Sequence, residues 1–93
     1  MLNLEEAKKE LKKHIEKEPI SYAENDDVYV FCMGDPMYLE SISKQNGSYE
    51  NIALGGLVLL MANPFGDCTE SEIKEAEEKH AMYIKLVNKL QPV

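Results

Sequence analysis

The chain has 93 residues, 44% of them hydrophobic and 29% charged, with a net charge of −7. That is the composition of one small globular domain, 1–93, and it excludes a disordered chain. The charge is uneven: residues 19–69 hold seven acids against Lys44 alone, so direct binding to nucleic-acid phosphates is not expected.

Asn3 followed by Glu6 forms a capping-box pattern at the start of a helix. Leu4, Ala7, Leu11 and Ile15 then give a narrow apolar stripe, and Pro19 ends the helix. The pairs Lys8-Lys9 and Lys12-Lys13 are offset by Glu5, Glu6, Glu10 and Glu16 and read as a solvated face. The start, MLNLEEAKKELKK, lacks a long apolar run, so no secretory signal is expected.

Ser21 to Asp27 is polar and acidic and reads as a loop. Val28 to Met33 is β-branched and aromatic and predicts a strand. Val28, Val30 and Cys32 fall on one face, Tyr29, Phe31 and Met33 on the other, so both faces should be covered. Gly34-Asp35-Pro36 is a turn, and Met37 to Lys44 is a weaker second strand that pairs with the first as a hairpin.

Gln45-Asn46-Gly47 is a further turn, after which Ser48 is placed as N-cap of a helix over Tyr49 to Ala62. Asn63 takes its left-handed end, with Pro64 beyond. No charged residue lies between Glu50 and Asp67. The apolar run Ile52 to Ala62 is too short for the roughly 20 residues of a membrane span. An all-round apolar helix is expected to be the central core helix, with Gly55 and Gly56 against another backbone. Gly56→Leu should therefore overpack it. That backbone is either the hairpin or a second copy, and Tyr29, Phe31, Gly55 and Gly56 are the expected seam of a homodimer.

Thr69 and Glu72 make a second capping box. The last helix carries Ile73, Ala76, His80, Tyr83, Val87 and Leu90 on one stripe. The predicted class is therefore α+β in the order α-β-β-α-α, an antiparallel hairpin packed against the apolar helix and two amphipathic ones.

The chemistry-bearing residues are few. Cys32, Cys68, His14 and His80 are zinc-ligand types without ligand spacing. Cys32 lies in an apolar strand, which suits a buried hydrophobe better than a nucleophile. Two thiols with no secretory signal suit a reducing cytoplasm. Glu24, Asp26 and Asp27 lack the alternating calcium-loop pattern. Asp35 and Glu40 have no cleft that would make them an acid/base pair, and the glycines match no phosphate loop. No metal, no cofactor and no enzyme activity are expected.

The segments VYVFCMGDP and YLESISKQNGSYENIALGGLVLLMANP resemble short uncharacterised proteins of bacterial prophages or mobile elements. The resemblance implies an accessory protein that acts by binding. A non-catalytic cytoplasmic interaction module is then expected. Glu24, Asp26, Asp27, Asp35 and Glu40 would face a host protein that it inhibits, imitating phosphates in a basic groove. The alternative is a small-ligand binder or minor enzyme with a pocket among Tyr29, Tyr38, Tyr49, Cys32 and His80.

Overall fold

The first helix, α1 (Leu4–Lys12), starts where the capping box places it. Asn3 Oδ1 accepts the Glu6 N–H at 2.9 Å, and Glu6 Oε1 accepts the Asn3 N–H at 3.0 Å. In the computed structural model, which describes Met1–Val93, four strands follow before the next helix. They are β1 (Ser21–Glu24), β2 (Val28–Cys32), β3 (Tyr38–Ser43) and β4 (Tyr49–Ala53). Then come α2 (Leu54–Ala62), α3 (Glu70–Val87) and the short β5 (Gln91–Pro92). The fold is α+β, with a five-stranded antiparallel sheet in the order β4-β3-β2-β1-β5.

Three strands depart from the sequence reading. The expected loop over Ser21 to Asp27 is half strand: β1 pairs with β2 from Ser21↔Cys32 to Glu24↔Tyr29. Ala23 is buried against its neighbours, while Asn25 Oδ1 closes the turn on the N–H groups of Asp27 and Val28 at 2.8 and 2.9 Å. Asn46-Gly47 turns the chain back on β3 instead of launching a helix. Gly47 takes φ +74, its N–H donates to Ser43 O at 2.9 Å, and Ser43 N–H donates to Ser48 O at 2.9 Å. Tyr49 to Ala53 therefore extends along β3, and Ser48 caps nothing. The helix begins at Leu54, after Ala53, with no side-chain cap. Finally β5 pairs Gln91 and Pro92 with β1 at the sheet's border, where proline's missing N–H is tolerated.

Both faces of β2 are covered, as its composition requires. On one face Val30, Cys32, Leu39 and Ile52 meet Leu54 and the Tyr83 and Leu86 side chains of α3. On the other, Tyr29, Phe31 and Ile42 meet Ala7 and Leu11 of α1. The α3 stripe falls largely where the sequence puts it, with Ala76 and Tyr83 buried and Ile73, His80, Val87 and Leu90 half-buried. Thr69 and Glu72 close the second capping box. Lys79 reaches Glu50 of β4 at 2.9 Å and the Tyr83 hydroxyl lies 3.4 Å from Ser41 Oγ, which ties this helix to the sheet.

The centre of the fold is thus the sheet, and the apolar helix is not the core element it was expected to be. Only Leu54 of α2 is buried. Gly55 and Gly56 are exposed and meet neither the hairpin nor any other backbone of this chain. A Cβ built on Gly55 has nothing within 4 Å, and one on Gly56 meets only the Ala53 Cβ at 3.8 Å. A β-carbon at Gly56 therefore clashes with nothing within the chain, and the overpacking expected of Gly56→Leu loses its basis in a buried helix. Because glycine costs a helix up to about 1 kcal/mol against alanine, Gly56→Ala should stabilise the fold in dilute solution by about that much in urea unfolding. A destabilised variant would place Gly56 against the chain's own core.

Candidate interaction surface

A helix without a charged residue has no side made for water. Here α2 turns Leu54, Leu57 and Met61 inward, and its extensive packing is on α3 rather than on any strand. The outward side is left with Gly55, Gly56, Val58, Leu59, Leu60 and Ala62. Leu59 is 63% exposed, Val58 46% and Leu60 40%, and the neighbouring Phe65 is 88% exposed. The molecule measures 42 × 25 × 22 Å, and beyond Leu54 the helix α2 packs chiefly on α3, the pair forming an arm of the fold.

The arm's tip is locally closed. Asn63 adopts φ 47, ψ 55 and donates its N–H to Leu59 O at 3.0 Å. Its Oδ1 accepts the Cys68 N–H at 3.2 Å, its carbonyl accepts the Gly66 N–H at 3.1 Å, and Gly66 itself sits at φ +69. Phe65 is held outward by this turn. A groove of about 240 Å³ lies beside it, lined by Gly56, Leu59, Leu60, Pro64, Phe65 and Cys68 among others. A second groove of about 190 Å³ runs between α2 and α3, with Leu57 and Leu60 on one wall and Glu72, Glu75 and Lys79 on the other. Burial, followed by the charges of Asp67 and Glu72, pushes the Cys68 thiol up, which keeps it protonated.

Of the expected seam residues, only Gly55 and Gly56 lie on this surface. Tyr29 is 6% exposed and Phe31 0%, both beneath α1, so neither can meet a second copy. The expected acids do not form one patch. Asp26 and Asp27 sit on the β1–β2 turn and Asp35 on the β2–β3 turn, at opposite ends of the sheet, all exposed. Asp35 Oδ1 accepts the Met37 N–H at 3.0 Å. Glu24 is paired with Lys44 at 2.7 Å, and that ammonium also lies 4.7 Å from the Tyr29 ring centre.

Glu40 is not a surface acid. It is 7% exposed on the α1 face of the sheet. Its carboxylate accepts the Tyr49 hydroxyl at 2.8 Å and the Asn51 amide at 2.9 and 3.1 Å. His14 stacks on the Tyr49 ring, centroids 4.3 Å apart and 8° from parallel. The cluster joins the chain just beyond α1 to β3 and β4, and its carboxylate is taken up by its own neighbours. Nor do the residues named for a ligand pocket converge. Tyr29 and Tyr49 lie on the α1 side, Cys32 on the α3 side, Tyr38 is 57% exposed, and His80 belongs to the α3 stripe. No group of three His, Cys, Asp or Glu side chains comes together, and no helix is long and apolar enough to cross a membrane.

Leu59, Leu60 and Phe65 as an exposed apolar surface escaped the sequence reading. A signal was present. A chain of this length cannot surround a helix on every side, so a helix apolar all round must leave apolar atoms in water. No family model matches the chain, and no curated protein or solved structure matches it.

Two predictions follow from the Glu40 cluster. Glu40→Ala strands the Tyr49 and Asn51 donors and should cost about 1–3 kcal/mol in chemical denaturation; a change below about 0.5 kcal/mol would show the network to be idle. Burial, the hydrogen bond to Glu40 and the negative charge of Glu40 push the Tyr49 phenol up to about 12. A folded value above the unfolded value of about 10 stabilises the protein fully below that pH. The stabilisation is then lost as the pH rises through about 12. In an absorbance titration one tyrosine should ionise late, and Tyr49→Phe should remove that step. An unchanged titration in the variant would assign the late step elsewhere.

Proposed function

We propose that this protein is a non-catalytic cytoplasmic interaction module whose working surface is the outer face of α2 with Phe65. One observation carries the reading. Val58, Leu59, Leu60 and Phe65 stand in water on an element that its own capping and turn hydrogen bonds hold in shape. Contiguous apolar surface on a defined element marks a place where another macromolecule sits. The expected single acidic face has less support, because the exposed acids Asp26, Asp27 and Asp35 are divided between two ends of the sheet. The biological setting we propose is the one the sequence resemblance implies, an accessory protein of a phage or mobile element that acts on a host protein. Asp26, Asp27 and Asp35 remain free to meet such a target.

The test is photo-cross-linking in cells. A photoreactive amino acid in place of Leu59 should yield a covalent protein adduct on illumination. The same group in place of Lys17, exposed beyond the end of α1, should yield none. Absence of any adduct at position 59 would contradict the reading.

A further inference from the structure

We infer that the occupant of the α2 face is a second copy of this chain, seated antiparallel on the same face through a two-fold axis near Leu59. The inference rests on the interaction-module reading and deepens it by naming the partner.

Charge is the first argument. Each copy carries −7, and acids crowd α3 and the sheet turns. Most ways of bringing two copies together set carboxylate against carboxylate. Residues 51–66 carry no charge, and the nearest acids, Asp67, Glu72 and Glu75, border the face at its Phe65 end and along α3, so two copies meeting antiparallel along α2 set these acids against the uncharged glycine end. A partner chosen for opposite charge would be drawn to the acidic faces instead.

Shape is the second. Gly55 and Gly56 lie one turn before Leu59, and Phe65 lies six residues after it, on the turn just beyond the end of the helix. The glycine end is flat, with nothing within 4 Å of a Cβ at Gly55, and the other end carries an outward aromatic ring that is 88% exposed. In an antiparallel pair the flat end of each copy faces the aromatic end of the other. The surface is therefore complementary to itself, which a two-fold contact requires.

Area is the third. Val58, Leu59, Leu60 and Phe65 leave on the order of 400 Å² of apolar surface exposed per copy, about half the roughly 800 Å² per partner of a standard interface. The dimer is accordingly a reversible one. Because the charges outside the contact repel, screening them with salt strengthens it.

Sedimentation equilibrium of the full chain, from micromolar to millimolar concentration and at low and high salt, tests the inference. A monomer–dimer equilibrium that tightens with salt is expected. Leu59→Asp, which acts twice across the axis, should weaken it by about 100-fold or more, while circular dichroism shows an unchanged fold. Gly55→Leu, which fills the flat end, should weaken it as well. A monomer at every concentration overturns the inference, as does a dimer that weakens with salt. A dimer indifferent to Leu59→Asp also overturns it and points to another surface, such as the open border of β4. The mass of the position-59 adduct separates this inference from the reading beneath it. An adduct of twice the chain mass supports both. An adduct of any other mass leaves the module and removes the second copy, and no adduct removes both.

Discussion

A sheet with apolar residues on both faces needs two covers, and that requirement organises the molecule. Phe31 and Val30 are adjacent in sequence and both fully buried, one beneath α1 and the other beneath α3. Each fully buried side chain of this size contributes about 1.5–3 kcal/mol relative to exposure, so leaving either face open would unfold a domain this small. The chain has three helices, and two are committed to the sheet. Nothing remains to cover α2, which follows β4 without a linker, roots Leu54 in the sheet core and otherwise packs mainly on α3. Its exposed leucines are the consequence of how the other elements are used.

The same constraint explains the polar centre on the α1 face. A short α1 covers Tyr29, Phe31 and Ile42 but does not blanket the rest of β3 and β4. There the sheet closes itself with Glu40, Tyr49 and Asn51, and His14 extends the helix's reach by stacking on the Tyr49 ring. A buried carboxylate held by neutral donors is tolerable where its lone pairs are met, and no buried side-chain polar atom in the structure lacks a partner. This region is built for cohesion, and the proposed association falls on the arm instead.

Features determined by neighbouring residues were legible in the sequence. The boxes Asn3/Glu6 and Thr69/Glu72, the two-faced strand around Val30, the left-handed Asn63 and the α3 stripe each depend on side chains within a few positions of one another. Features determined by distant partners were not. Ser21 to Glu24 has no strand signal of its own and becomes a strand because β2 lies beside it. Tyr49 to Ala53 reads equally as helix until the Asn46-Gly47 turn returns it to β3. That single misplacement propagates: with β4 taken as helix, Glu40 has no donors and looks like a surface acid, and Ile52 joins the apolar helix instead of the sheet. The α2 face was legible in part: Gly55 and Gly56 were expected on a seam, but the leucines beside them read as core, since an apolar residue signals burial without saying in which molecule.

The cover proposed for the outer face of α2 is another copy of the chain. Hydrogen exchange of the Leu57 to Ala62 amides, followed across protein concentration, tests it most directly. Their protection should rise with concentration and reach a plateau, while the amides of β2 and β3 exchange at rates independent of it. Protection of α2 that is the same at every concentration would rule out a second copy on that face.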